Sequence, residues 1–215
     1  MFVKMSGQPW LSKLKEHRAI AVIRAKELSL GREMALAVAS GGMRLIEITW
    51  KSDRAAELIA QLRTELPDCT IGTGTLLNMQ QMQAAVNSGA QFLFTPHVDK
   101  ALIQAAVALG VPMIPGALSP TEIVTAWASG ASCVKVFPVQ AVGGANYIRS
   151  LQEPLGHIPL IPTGGITLEN APEFLQAGAI AFGLSSQLFP KKLVAAKDWQ
   201  AIVKLANNLM QQLRS

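Results

Sequence analysis

One spacing constrains the fold of this chain more than any other feature. Glycine or proline closes one helix-like segment after another, at Gly41-Gly42, Pro67, Gly89, Gly110, Gly130, Gly156 and Gly178, in steps of 20–26 residues. A glycine just past a helix commonly serves as its left-handed C-terminal cap. A period of this size signals one supersecondary unit used repeatedly. Each stop is followed by a short apolar run, at 43–49, 69–75, 90–96, 111–116, 131–138, 158–163 and 179–185, and one more at 19–24 precedes the series.

Those eight runs are mostly continuous rather than alternating, which suits parallel strands covered on both faces. The segments between them carry helical spacing. Leu58, Ile59, Leu62 and Leu66 share one face; Ser119-Pro120-Thr121-Glu122 forms a capping box; Asp99 and Asp198 stand where helices begin. A short helix over about 10–17 precedes the first strand. The expected architecture is α/β, a compact (β/α)8 TIM barrel in one domain spanning 1–215. Residues 1–18 form an N-terminal helical extension and 191–215 a C-terminal helix. A doubly wound open sheet would need a glycine-rich turn after the first strand, where Arg24-Ala25-Lys26-Glu27 stands instead. The barrel places chemistry at the C-terminal ends of the strands.

Composition narrows the partners. Half of the 215 residues are hydrophobic and 15% are charged, enough for one sizeable core and too apolar for disorder. No apolar run reaches the 18 residues of a membrane span, so no membrane partner is expected. Lys4, Lys13, Lys15 and Glu16 interrupt the N-terminus, which therefore does not read as a signal peptide. Cys69 and Cys133 sit in strand-like runs and read as buried thiols in a reducing cytoplasm. His17, His97 and His157 are scattered, and no metal motif occurs, so neither metal nor cofactor is expected. The net charge of +5 is dispersed, with no basic cluster beyond Lys191-Lys192. It reads as solvated surface with some attraction for anionic substrates, not as a nucleic-acid site.

Within this frame Lys135 stands out, because it interrupts the apolar strand Val134-Lys135-Val136. A buried ammonium is costly unless it is paired or neutral. Strand parity sets Lys135 with Cys133 and Phe137 on one face, and Glu47 with Leu45 and Thr49 on one face of the second strand. If both faces look into the barrel, amine and carboxylate meet near its mouth. The pair is then either a structural ion pair or a nucleophilic amine with a proton shuttle beside it. Gly164-Gly165 after the seventh strand and Ser185-Ser186 after the eighth stand where such barrels often bind phosphate through backbone N–H groups, although Gly164-Gly165 alone also fits an ordinary tight turn.

Seven stretches, in order and spacing, resemble the 2-keto-3-deoxy-6-phosphogluconate (KDPG) aldolase and 4-hydroxy-2-oxoglutarate (KHG) aldolase family. They are Leu45-Ile46-Glu47-Ile48-Thr49, Gly72-Thr73-Gly74-Thr75, Thr95-Pro96, Pro115-Gly116, Val134-Lys135-Val136-Phe137-Pro138, Pro162-Thr163-Gly164-Gly165-Ile166 and the region of Ser186. The resemblance implies a metal-free class I aldolase, a cytoplasmic homotrimer acting on a small 2-keto acid. It implies Lys135 as the Schiff-base lysine and Glu47 as the general acid/base. Thr75 and Lys51 would hold the pyruvate carboxylate, and Pro96 and Phe137 would pack on the pyruvyl carbons. Gly164, Gly165 and Ser186 would bind the phosphate, with Arg24 facing the distal half of the substrate. The chain departs from the family pattern at Lys51, where arginine is usual, at Val139-Gln140 for Ala-Glu, and at His97 for glycine. Other readings are a sibling aldolase for the galactonate epimer, a non-catalytic phosphosugar-binding barrel, and an isomerase or epimerase using Glu47 without a Schiff base.

Overall fold

The computed structural model describes residues 8–214; residues 1–7 of the expected extension and Ser215 at the end of 191–215 lie outside them. Among the described residues nine strands run in order: β1 (Ala19–Ile23), β2 (Leu45–Thr49), β3 (Thr70–Gly74), β4 (Leu93–Phe94), β5 (Met113–Ile114), β6 (Gly116–Ala117), β7 (Val134–Val136), β8 (Leu160–Pro162) and β9 (Phe182–Leu184). Every pairing is parallel. A curled six-stranded sheet has the order β5-β4-β3-β2-β1-β9, and a three-stranded sheet the order β6-β7-β8. Helices separate successive strands everywhere but between β5 and β6, which makes the fold α/β.

Nine segments stand where eight runs are expected because the run 111–116 is cut in two. Pro115 has no N–H to give to a ladder, so β5 pairs with β4 and β6 pairs with β7. Its carbonyl still accepts from Lys135 N at 2.9 Å. At the other edge, Ile180 N donates to Leu160 O at 3.0 Å, and Thr163 makes a parallel bridge with Gly183. Several strands are shorter than their apolar runs, since Pro96, Pro138 and Pro159 occupy run ends and cannot donate either.

The helix signals hold. Asp99 accepts from Ala101 N and Leu102 N, Ser119 and Glu122 close a reciprocal box, and Asp198 accepts from Ala201 N. Gly42, Gly89, Gly110, Gly130 and Gly178 take positive φ at their helix ends. Gly156 corrects the pattern. Its φ of −61° is right-handed, and Pro154 has already removed an N–H from the last turn of Ala145–Leu155. The stretch 191–215 is also not one helix but two, Lys191–Ala195 and Trp199–Gln212, divided where Asp198 caps the second.

Burial divides the core by strand parity. Ala19, Ala21, Ile46, Ile48, Leu93, Val134 and Leu160 pack toward the helices. Ile20, Leu45, Phe92, Phe94, Ile114, Cys133, Ile161 and Ala181 form a second cluster on the opposite strand face. The N-terminal helix Gln8–His17 sends Trp10 and Leu14 into this inner cluster. Glu47 and Lys135 have the inner parity, one step further along their strands.

Candidate active site

At the C-terminal ends of the strands the inner face opens into a cavity of about 440 Å³. Arg24, Glu47, Thr75, Pro96, Lys135, Phe137, Gly164, Gly165 and Ser186 all line it. Nine of the ten residues singled out from sequence therefore converge; Lys51 does not. Its turn is pinned the other way round. Ser52 Oγ accepts from Ala25 N at 3.2 Å and lies 3.2 Å from Thr49 Oγ1, which leaves Lys51 exposed. His97 and Gln140 also lie outside the lining.

Burial is severe at the centre, where Lys135 is 8% exposed and Glu47 3%. Desolvation pushes the Lys135 amine below its ordinary range; the Glu47 charge opposes this and the Arg24 charge adds to it. Desolvation raises the Glu47 carboxyl against the pull of Lys135 and Arg24. Both shifts favour the neutral forms. The amine lies 4.5 Å from the Phe137 ring centroid and 5.7 Å from that of Phe94, so aromatic faces border it. Among the described residues, no ion pair within 4.0 Å joins Lys135 to Glu47.

The sequence makes room for this pair. A Cβ added to Gly74 would collide with Glu47 Oε1, so the carboxylate rests directly on the β3 backbone. The next residue, Thr75, has φ +64°, a left-handed conformation that costs a β-branched residue about 1–3 kcal/mol. Across the cavity, Gly164 and Gly165 take φ +91° and +84°. Their loop is fixed from behind: Gln140 N donates to Gly164 O at 3.2 Å, and a Cβ on Gly165 would collide with the Gln140 side chain.

Val22, Thr49, Thr163, Ile166, Gly183, Leu184 and Ser185 complete the wall. Val22 escapes a reading that looks for polar residues, yet parity reveals it: it pairs in register with Glu47 and stands two residues before Arg24. Gly183 is small because Thr163 Oγ1 would lie 2.8 Å from any Cβ there. A larger hollow of about 650 Å³ opens at the opposite, N-terminal strand ends, around Lys15 and Arg18. Both cations are exposed, and no buried acid or amine lines it. Among the described residues, no group of three or more His, Cys, Asp and Glu side chains converges as a metal site would require.

A desolvated amine and carboxylate facing each other at the C-terminal ends of parallel strands define an α/β enzyme. The family model for KDPG and KHG aldolase matches residues 11–205. A 2-dehydro-3-deoxy-phosphogluconate aldolase of Treponema pallidum is 34% identical over 198 residues, covering 92% of this chain and 94% of its own. Among solved structures, a KDPG aldolase of Legionella pneumophila holding pyruvate as a covalent carbinolamine superposes with a TM-score of 0.86 at 28% identity, covering 93% and 97%. The KDPG aldolase of Zymomonas mobilis with 3-phosphoglycerate gives 0.84 at 26%, covering 93% and 94%. The chain belongs to the KDPG and KHG aldolase family, and it is a lyase.

Proposed function

We propose that the protein is a class I aldolase that cleaves 2-keto-3-deoxy-6-phosphogluconate to pyruvate and glyceraldehyde 3-phosphate, and 4-hydroxy-2-oxoglutarate to pyruvate and glyoxylate. The observation that carries this reading is the desolvated Lys135 amine facing Glu47 in one cavity. Neutral Lys135 Nζ attacks the C2 ketone to give a carbinolamine, and Glu47 moves the protons by which water leaves and an iminium forms. Glu47, directly or through a water, then takes the C4 hydroxyl proton. The C3–C4 bond breaks, its electrons pass into the iminium, and the aldehyde departs. The remaining enamine is protonated at C3, and water hydrolyses it to pyruvate and free Lys135.

The other roles are those the family resemblance implies, with Lys51 reaching in from outside the cavity lining. Thr75 and Lys51 bind the carboxylate, while Pro96 and Phe137 flank the pyruvyl carbons. Gly164, Gly165 and Ser186 take the phosphate, with Arg24 at the distal rim. The frame is one domain over 1–215, a (β/α)8 barrel in which β5 and β6 are halves of the fifth strand. The support for closure is the Thr163–Gly183 bridge between the two sheets. The family resemblance supports a homotrimer. Cys69 and Cys133 are buried and form no disulfide, which fits a cytoplasmic enzyme, and no described helix is long and apolar enough to cross a membrane.

Borohydride reduction in the presence of pyruvate, followed by peptide mass mapping, tests the chemistry. An adduct on Lys135 is the expected result, and its absence from every peptide overturns the aldolase. Inorganic phosphate should compete with the phosphorylated substrate and not with 4-hydroxy-2-oxoglutarate. Light scattering reads the trimer.

A further inference from the structure

Lys135 is walled from below by a column of side chains that ends in the N-terminal helix. The Phe94 centroid lies 5.7 Å from Nζ, the Phe94 and Phe92 rings meet edge to face at 5.8 Å, and Trp10 stacks on Phe92 at 4.7 Å and 28°. A second route runs beside the first. Trp10 Nε1 donates to Cys133 Sγ at 3.4 Å, and Cys133 is two residues before Lys135 on the same strand face. Gly72 admits the column, since a Cβ there would collide with the Phe92 ring.

The helix is held in place. Lys13 Nζ donates to Thr70 Oγ1 at 2.9 Å at the start of β3, and Leu14 is fully buried. Outside Trp10 lies a hollow of about 210 Å³ lined by Pro9, Lys13, Thr70, Gln91 and Pro112, so the indole is the partition between that hollow and the barrel interior.

We infer that Trp10 is a positioning residue for the Schiff-base lysine: it plugs the closed end of the strand array, excludes water from beneath Lys135 and fixes the aromatic floor on which the amine rests. This rests on the reading of Lys135 as the nucleophile. A dry floor matters because desolvation is what holds the amine in its neutral, reactive form. The charged groups facing Lys135 are Glu47 from β2 and Arg24 after β1, and a change at Trp10 alters neither.

The test follows the Lys135 titration by the pH dependence of its acetylation with acetic anhydride, resolved by peptide mass spectrometry in the full chain. In Trp10→Ala the midpoint should move up by about one pH unit as water enters. Trp10→Phe, which keeps the ring on Phe92, should titrate as the wild type does. If Trp10→Ala does not fold, Trp10→Leu should show a smaller move in the same direction. A folded Trp10→Ala or Trp10→Leu with the wild-type midpoint overturns the inference, even if its turnover falls. Acetylation does not depend on catalysis, so a pyruvate adduct on wild-type Lys135 judges the aldolase reading separately. A shifted midpoint without any adduct would leave the plug standing and the aldolase fallen.

Discussion

The two ends of the strand array use the same alternation for opposite purposes. At the N-terminal end the inner face holds Trp10, Leu14, Leu45, Phe92 and Cys133, apolar or soft groups in stacked contact. One step along the same strands, Leu45 gives way to Glu47 and Cys133 to Lys135, and the backbone turns left-handed at Thr75. The closed end gains free energy from apolar burial, and the open end gives some of it back through desolvated ionisable groups and strain. A side-chain choice at two strand positions, with no change of architecture, separates core from reaction site.

Making the open end resemble the closed end should have the largest effect. Lys135→Met removes the one lysine amine that lines the cavity among the described residues, so turnover should fall to background and the pyruvate adduct should disappear. Stability moves the other way when the partner is replaced as well. Lys135 has a lowered pKa in the fold, so the native state binds fewer protons than the unfolded chain, and stability falls as pH drops from the ordinary lysine value toward the folded one. Glu47 has a raised pKa, so its contribution is lost as pH climbs from the ordinary carboxylate value through the folded one. Between the ordinary carboxylate and lysine values both groups weaken the fold. Lys135→Met with Glu47→Gln should gain about 1 kcal/mol or more near neutral pH, and denaturant titration should show both slopes flattened.

Glu47→Gln alone should keep the fold and lower kcat by about 10²–10⁴-fold, the usual range for a lost acid/base group. Gly74→Ala should approach the same loss without replacing an ionisable group, because its methyl needs the space of Glu47 Oε1. If Gly74→Ala keeps wild-type kcat, the seat of the carboxylate is not what the β3 glycine serves.

Much of this contrast was legible in the sequence. The stop spacing and apolar runs located the strands, and parity alone brought Glu47 and Lys135 to one face. The break at Pro115 was legible in principle, since proline cannot donate to a ladder, but the continuous apolar run 111–116 concealed it. The aromatic column stayed hidden because Trp10, Phe92 and Cys133 are neighbours only through tertiary packing, with 123 positions separating Trp10 from Cys133. Thr75 was named by resemblance, whereas its left-handed backbone is a property of the folded turn. Lys51 shows the limit from the other side: the family resemblance put it on the carboxylate, yet it lies outside the cavity lining, on a turn pinned by Ser52.

Thr75 offers a finer test of the strain at the open end. Thr75→Gly relieves the left-handed conformation and should stabilise the fold by about 1 kcal/mol, seen as a higher Tm. If the strain serves catalysis, kcat/KM should fall by about tenfold, one 1.4 kcal/mol step of lost transition-state binding. A stabilised variant with full activity would make the strain incidental to the turn.

The smallest expected effect belongs to Lys51. It is exposed, and to reach a carboxylate in the cavity it must fold a flexible four-carbon stem over the rim and hold it there. A solvated charge acting in this way is worth about 1 kcal/mol at most, or roughly fivefold in affinity. Lys51→Ala should therefore raise KM by about that factor for phosphorylated and unphosphorylated 2-keto acids alike, with kcat unchanged, since the carboxylate is bound equally before and during bond cleavage. Lys51→Arg should lower KM, because a planar fork grips a carboxylate at two points and loses less freedom for each hydrogen bond. An unchanged KM in both variants would assign Lys51 to the solvated surface and leave the carboxylate to Thr75. The open end would then hold its anion by a strained turn, without a dedicated cation.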